Sequence, residues 1–262
     1  IFESFTSKIT TKKSDTLRIL AVDGSDVQIA TNPGDSTSYH PGSNGQKPYN
    51  LLHLNALYDL EHHIYTDAVI QGRLNWNEHS ALQEMVDRSD ISKALVVADR
   101  GYESYNNMAH IQEKGWYFLI QIKDGKNGIK QGLDLPDSDE FDEKINLQLT
   151  RKQTKETKEL FKRKKYYKFV PSTTSFEYLP LKSKKNDPAV FYELNFRIVH
   201  FKVTDELYET VLTNLDKDVY PPEKLRELYA SRWGIETSFR DLKYTVGMLD
   251  FHSKKVMCIH QE

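Results

Sequence analysis

Cysteine is almost absent from this sequence, and long apolar runs are absent altogether. The 262 residues include a single cysteine, Cys258, which excludes an internal disulfide framework. No segment approaches the roughly twenty consecutive apolar residues that a membrane-spanning helix requires. The first residues do not show the charged and apolar pattern of a secretory leader. We therefore expect a cytoplasmic protein with no membrane partner.

A net positive charge is also lacking, since the formal net charge is −2. This balance argues against nonspecific coating of nucleic acid, which clustered cations drive through counterion release. The charge is nevertheless uneven, because residues 151–168 hold nine lysines or arginines with Phe161, Tyr166 and Tyr167 interleaved. Such a segment predicts either a surface that grips a DNA backbone or an exposed hairpin or disordered loop, and both interpretations stay open. A weaker patch, interpreted as a solvated turn, follows at Lys182, Lys184 and Lys185.

Ligands for zinc are not clustered in the sequence. Histidine and thiolate ligands favour zinc, whereas carboxylate oxygens favour magnesium. Cys258 stands alone, and His62 with His63 is interpreted as an exposed turn. Any metal site is therefore expected to be built from acidic side chains.

The most informative stretch is residues 229–243, which predicts a helix with two distinct faces. Residues three or four apart align on a helix. One face is apolar, with Leu225, Leu228, Ile235, Phe239 and Leu242. The other face carries Tyr229, Arg232, Glu236, Arg240 and Lys243, although a charged face by itself is usually just solvated. We expect the helix to open at Pro221-Pro222, with a kink at Gly234, and interpret Trp233 and Trp116 as core residues.

Two further carboxylates follow predicted strands. The apolar residues 17–22 lead to Asp23 and a predicted turn, and residues 94–98 lead to Asp99. Taken singly, Asp23 would mark only a turn and Asp99 only a helix cap. Asp26 is close enough in sequence to be a spare ligand. Together with Glu236 the order becomes strand-Asp, strand-Asp, helix-Glu.

This order, with Tyr, Arg, Glu and Lys spaced as in residues 229–243, resembles the signature of the IS4-type DDE transposases. The resemblance implies that Asp23, Asp99 and Glu236 are catalytic and bind two Mg²⁺ ions, for which Mn²⁺ substitutes. It also implies that Tyr229, Arg232 and Lys243 hold the phosphates and terminal nucleotides of the transposon end. Arg240 is a further candidate DNA contact. Two metal ions about 3.5–4 Å apart can stabilise the attacking and leaving oxygens of a phosphodiester.

The same resemblance implies an activity and partners. The expected reaction is cleavage of DNA at transposon ends, followed by joining of the freed 3′-hydroxyl to target DNA. The partners would be transposon-end and target DNA and a second copy of the chain, in a bacterial cytoplasm at the nucleoid. Two alternatives are a ribonuclease-H-like nuclease without strand transfer and a catalytically silent DNA-binding descendant. Retention of three mutually repelling acids weighs against the second.

The fold expected from the pattern is α/β, a ribonuclease-H-like mixed sheet flanked by helices. Three leading strands, with a flexible loop at residues 32–48 after the first, are followed by helix, strand, helix and strand up to residue 123. Residues 124–218 lose helical periodicity and predict a mainly β insertion. The expected domains are residues 1–123 with 219–262 as catalytic core and residues 124–218 as insertion. The chain starts without methionine, so we expect a fragment of a longer protein.

Overall fold

The structure is a computed structural model that describes residues 16–43, 45–122, 128–182, 184, 186–248, 251 and 256–259. Predictions about the first residues, the strand end at residue 123, the boundary at residue 124 and Lys185 lie outside these ranges. In the described part the strands are β1 (Arg18–Ile29), β2 (Tyr39–His40), β3 (Tyr49–Asp59), β4 (Ile64–Gly72), β5 (Ala94–Ala98), β6 (Tyr117–Gln121), β7 (Phe141–Thr150), β8 (Tyr167–Phe169), β9 (Tyr192–Lys202) and β10 (Tyr208–Thr213). The helices are α1 (Glu78–Arg88), α2 (Tyr105–Glu113), α3 (Lys155–Leu160), α4 (Pro222–Ala230), α5 (Trp233–Tyr244) and α6 (Val256–Ile259).

The chain divides into two compact units. The first unit comprises residues 1–91 and 231–262, and the second unit comprises residues 92–230. Strands with helices packed against them occur in both, which confirms the predicted α/β class. None of the helices in the described ranges has both the length and the apolarity to cross a membrane.

In the first unit, β3 is the central partner. It pairs antiparallel with β1 on one side and with β4 on the other, and β2 adds a short pairing at its start. The three leading strands are therefore confirmed, and the loop between the first two contains β2. Helix α1 packs against β3 and β4, while α5 packs against β1.

The turn predicted after Asp23 is wrong, because β1 continues to Ile29. Pairing with β3 runs without interruption from Leu20 opposite Asp59 to Ile29 opposite Asn50. Val27 and Ile29 are buried whereas Asp26 and Gln28 are exposed, so period-two burial extends past Asp23. The burial of Val27 and Ile29 and their pairing with β3 keep the chain extended, where Asp-Gly alone would favour a turn.

In the second unit the strand order is β5-β6-β10-β9-β7-β8. β5 and β6 are parallel, as expected for strands joined through a helix, whereas β10 is antiparallel to both β6 and β9. The described part of residues 124–218 supplies four strands and the short helix α3, and β10 pairs directly with β6. The division into a core and an inserted domain stays a prediction.

A buried ion pair between Arg197 and Asp142 connects strands β9 and β7 of the second unit. Arg197 lies on β9 and contacts Asp142 on β7, with 2.7 Å between Nη1 and Oδ2. The Arg197 side chain also donates hydrogen bonds to the backbone oxygens of Leu215 and Tyr220, both at 2.9 Å. The two side chains are only 6% and 8% exposed, so the guanidinium connects two strands with the segment that leads into α4.

The single long helix predicted for residues 221–243 is wrong, because the chain forms α4 and α5 with a break at Ser231 and Arg232. α4 begins at Pro222, as proposed, and buries Leu225 in the second unit, whereas α5 buries Ile235 and Phe239 in the first. The two halves thus pack into different cores. Gly234 does not kink a helix but lies in the first turn of α5.

Two tryptophans differ from each other in their surroundings. Trp116 is 1% exposed and belongs to the core, as predicted. Trp233 was predicted to be core and is 64% exposed, with the Arg232 guanidinium 5.7 Å from its ring centre. Because α5 starts at Trp233 after the helix break, its ring projects from the helix end instead of continuing the apolar stripe.

Candidate active site

One face of β1 carries both the polar candidates and the residues on which α5 packs. Side chains alternate along a strand, so Asp23 and Ser25 share a face with Ala21 and Val27. Helix α5 covers this face through a buried cluster formed by Ala21, Val27, Ile29, Leu52, Leu54, Ala56, Tyr58, Ile235, Phe239 and Ile259. The apolar stripe predicted for the helix therefore places its charged face beside Asp23.

Gly234 lets α5 approach the end of β3 closely. A Cβ atom added at Gly234 would lie 2.7 Å from Leu60 Cδ2, which is closer than real Cβ contacts. Tyr65 on β4 contacts Ser238 on the helix, with 2.8 Å between their hydroxyl oxygens. These contacts set the position of Arg232 and Glu236 over β1.

The Arg232 side chain lies between two of the candidate acids, Asp23 and Glu236. Its Nη2 donates to Glu236 Oε1 at 2.6 Å, and its Nη1 lies 3.7 Å from Asp23 Oδ2. Arg232 is 8% exposed, whereas the side chains of Asp23 and Glu236 keep 23% and 34% of their surface exposed. One guanidinium thus lies within 4 Å of both carboxylates, and both remain accessible from solvent.

Lys243 lies about two turns beyond Glu236 on the same helix face. Its ammonium donates a 2.7 Å hydrogen bond to Ser25 Oγ. Lys243 is half-buried, while Arg240 is exposed. Glu236 pairs with Arg232, and the alternative pairing with the exposed Arg240 is not formed. The structure therefore brings together Asp23, Arg232, Glu236 and Lys243 in the first unit.

Asp23 and Asp26 point to opposite faces of β1. Asp23 Oδ1 accepts a 2.8 Å hydrogen bond from the backbone N–H of Gly24. Asp26 instead contacts His53 Nδ1 at 2.7 Å on the face away from α5. The idea of Asp26 as a spare ligand beside Asp23 is therefore wrong, since three residues along a strand reverse the side of the sheet.

Asp99 and Tyr229 belong to the second unit. Asp99 follows β5 and caps the short 3-10 turn Arg100–Tyr102, with its Oδ1 accepting from Gly101 N–H at 2.7 Å. The cap interpretation thus describes its local geometry, and Oδ2 makes no hydrogen bond to the described residues. Tyr229 is half-buried in the last turn of α4.

The donor chemistry of the acids fits a hard divalent cation. Asp23 and Glu236 offer only carboxylate oxygens, which magnesium prefers, and they already share one positive group. Within the described ranges no three histidine, cysteine, aspartate or glutamate side chains form a ready-made metal cluster. The structure confirms that His62 and His63 lie in an exposed turn, between β3 and β4. His62 contacts Asp59 there.

The basic segment contains helix α3 and part of strand β8, so its interpretation as an exposed hairpin or disordered loop is wrong, whereas its role as a DNA-gripping surface stays a prediction. Arg151 and Lys152 donate to backbone oxygens, and Lys165 pairs with Glu143 at 2.6 Å. Lys168 lies over the Tyr105 ring, and burial lowers the pKa of its ammonium. The exposed remainder consists of Lys155, Lys158, Lys162, Arg163, Lys164 and the half-exposed Tyr166.

Carboxylates that can hold a divalent cation, next to cationic side chains that can bind phosphate, are residue types that enzymes acting on nucleic-acid phosphates use. The family model for the transposase DDE domain matches residues 14–257, and the chain belongs to this family. Among solved structures, the chain is similar to a piggyBac transposase synaptic complex with hairpin DNA, with a TM-score of 0.46 and 9% identity. That match covers 93% of this chain and 43% of the other, so the chain spans less than half of its length. Comparison with curated proteins finds no match.

Proposed function

We propose that the chain is the catalytic core of an IS4-type cut-and-paste DNA transposase. It would cleave DNA at transposon ends and transfer the freed 3′-hydroxyl to target DNA in the bacterial nucleoid, acting as a homodimer. The observation that carries the proposal is the placement of Asp23 and Glu236 around one guanidinium on the face of β1 that α5 covers. Residues distant in sequence thereby meet with the chemistry that phosphoryl transfer requires.

Asp23 and Glu236 would bind magnesium together with Asp99, which the family signature assigns as the third acid. When bound, two such ions stabilise the entering and leaving oxygens of the scissile phosphodiester. The three acids would supply oxygen ligands and would leave other coordination positions for water and phosphate. Manganese would substitute, because it accepts the same oxygen ligands.

The cations of α5 would bind the DNA strand. Arg232 presents a planar fork that suits a phosphate, and its release from Glu236 on DNA binding would free that carboxylate. Lys243 supplies a point charge next to Ser25, and Arg240 extends the positive surface into solvent. Tyr229 would contribute a phenol and a stacking face to the terminal nucleotides.

A strand-transfer assay tests the proposal against its alternatives. The full chain is incubated with a labelled transposon end, supercoiled plasmid and Mg²⁺, and products are separated by gel electrophoresis. Label joined covalently to plasmid is the expected result. Cleavage without joining would indicate a nuclease, and binding without cleavage would indicate a silent descendant; either outcome overturns the proposed function.

Replacing Arg232 is expected to separate metal binding from DNA binding. Arg232→Gln removes the guanidinium that competes with a metal ion for the carboxylates of Asp23 and Glu236. The Mn²⁺ affinity should therefore increase several-fold. Transposon-end affinity should fall about tenfold to a hundredfold, because a charge-assisted hydrogen bond contributes about 1.5–3 kcal/mol. Calorimetry with Mn²⁺ and fluorescence anisotropy with labelled DNA measure the two effects. Arg240→Gln is the control, with unchanged Mn²⁺ affinity, and weaker Mn²⁺ binding in Arg232→Gln would contradict the prediction.

The exposed cations of residues 151–168 are expected to strengthen DNA binding without taking part in catalysis. In a triple variant Lys158→Gln, Arg163→Gln and Lys164→Gln, the slope of log affinity against log salt should decrease by up to about 0.9 for each lost phosphate contact. Cleavage at saturating DNA should be unchanged. Salt titrations by fluorescence anisotropy measure the slope.

The matched control neutralises three lysines outside that segment, Lys93, Lys114 and Lys202. The control should retain the salt dependence of the original chain. An equal loss of slope in both triple variants would show that the effect is one of net charge and would contradict a DNA-contacting role for the segment.

A further inference from the structure

A second polar cluster lies on the face of β1 opposite to Asp23. His53 on β3 is opposite Asp26 in the strand register, and its ring is held at both nitrogens. Nδ1 is 2.7 Å from Asp26 Oδ1, and Nε2 is 3.1 Å from Glu78 Oε1 at the start of α1. His53 is 5% exposed, whereas the two carboxylates are near the surface. We call His53, Asp26 and Glu78 the histidine clamp.

The clamp is in direct contact with the residue that follows Asp23. A Cβ atom at Gly24 would lie 2.3 Å from His53 Nε2 and 2.9 Å from Glu78 Oε1, so the imidazole fills the space where a side chain would be. The N–H of Gly24 donates to Asp23 Oδ1 at 2.8 Å. Gly24 therefore contacts the clamp with its Cα and holds the Asp23 carboxylate with its amide.

Other groups fix the orientation of the imidazole. Trp76 stacks on it, with ring centres 4.3 Å apart and an angle of 28° between the rings. Glu78 is fixed in turn because it is the first residue of α1, and the preceding Asn77 caps the helix. A negative charge is favourable at this helix end. The ring thus has a partner on each edge and on one face.

The clamp also favours a charged histidine. Burial alone would lower the pKa of His53, but the hydrogen bonds and charges of Glu78 and Asp26 outweigh it and raise the pKa above its ordinary value of 6.5. The hydrogen bond from His53 lowers the pKa of Glu78, and His79 contributes to the same shift. An imidazolium between two carboxylates satisfies both of its N–H donors.

We propose that His53 is a positioning residue for Asp23: its hydrogen bonds to Asp26 and Glu78 hold its ring against Gly24, and the ring held in this way fixes the backbone whose amide orients the Asp23 carboxylate. His53 does not touch the reacting atoms, since it lies on the other side of the sheet. The inference rests on the proposed metal role of Asp23. It assigns a function to a histidine, an aspartate and a glutamate that the DDE signature does not include.

The variant that tests the proposal is His53→Phe, which keeps a ring of similar size beside Gly24 and removes both hydrogen bonds. Asp26 and Glu78 can turn to water in this variant, so the fold should persist. His110→Phe is the matched control, because His110 is 4% exposed and faces Glu177 at 3.5 Å in the second unit. Glu78→Gln is a milder second variant that weakens one arm of the clamp.

The first measurement is the Mg²⁺ concentration for half-maximal cleavage of a transposon end. We expect it to rise about tenfold in His53→Phe, about threefold in Glu78→Gln and not at all in His110→Phe. In the original chain it should also rise as the pH passes upward through the raised pKa of His53, and this dependence should vanish in His53→Phe. An unchanged Mg²⁺ requirement in His53→Phe would overturn the proposal.

The second measurement needs neither metal nor DNA. In ¹H–¹⁵N spectra of the full chain, the Gly24 amide should shift upfield in His53→Phe as its hydrogen bond to Asp23 weakens, and should stay in place in His110→Phe. A Gly24 amide that is unaffected in His53→Phe would overturn the positioning role. If the original chain neither binds Mn²⁺ nor cleaves DNA, the proposed function fails, while the amide shift still decides whether His53 positions Asp23.

Discussion

Replacing Asp23, Asp99 or Glu236 by the corresponding amide is expected to reduce transposon-end cleavage at least about a thousandfold. In the proposed metal site each substitution would remove a charged oxygen ligand while keeping the shape of the side chain. Metal ions contribute several kcal/mol to such reactions, and about 1.36 kcal/mol is tenfold in rate. Binding of the end should stay within a few-fold, since Arg232 and Lys243 are retained. Single-turnover cleavage assays and anisotropy on the same preparations measure the two quantities.

Asp241→Asn is the control for these substitutions. Asp241 is an exposed acid on α5, the helix that carries Glu236, so its replacement should leave cleavage unchanged. Full activity of Asp99→Asn would remove Asp99 from the metal site, even if the other two variants are inactive. Loss of end binding together with cleavage would instead point to a folding defect.

The second large effect concerns stability and the buried pair of Arg197 and Asp142. Arg197→Met is expected to lower the free energy of unfolding by about 3–5 kcal/mol, because the buried Asp142 loses its close, buried partner and keeps the more exposed Lys217, 3.4 Å away. The backbone oxygens of Leu215 and Tyr220 also lose their donor. At about 2–4 °C per kcal/mol for a chain of this size, the melting temperature should fall by roughly 6–20 °C.

Calorimetry or circular dichroism measures this shift. The double variant Arg197→Met with Asp142→Leu should recover much of the loss, because replacing both members of a buried pair by apolar residues is often neutral. If Arg197→Met has the same melting temperature as the original chain, the pair contributes no net stability. A double variant as unstable as the single one would assign the loss to the two backbone oxygens.

Periodic segments with consistent burial were predictable from the sequence. The strands around Leu52 and Val96 and the helix around Leu82 follow from apolar spacing alone, because each has a buried face along its whole length. The capping residues Asn77 and Ser104, which accept from backbone N–H groups of α1 and α2, explain why those helices begin where they do. Local rules were sufficient where no other interaction opposed them.

The errors have physical causes in tertiary packing. The Asp23-Gly24 pair predicts a turn, whereas the pairing of β1 with β3, which is not visible in sequence, keeps the chain extended. The apolar stripe runs through Ser231 and predicts one helix, but Leu225 and Ile235 pack into different units. The pairing of Asp26 with His53 depends on strand register, which only the fold determines.

The candidate site was predictable in its residue types more than in its contacts. The spacing of Arg232, Glu236 and Lys243 placed them on one helix face, and the structure keeps them there. The Arg232 guanidinium shared by Asp23 and Glu236 was not foreseen, because pairing with Arg240 is equally compatible with helical spacing.

The alternation of β1 restricts how this region can change during evolution. Adding or deleting one residue between Ala21 and Val27 would exchange the two sides of the strand, so that the Asp23 carboxylate would face the imidazole of His53. Length changes are tolerable in the long connection after Ile29, which begins once the strand has ended. Homologues should therefore vary in that connection while keeping the count of residues within the strand fixed.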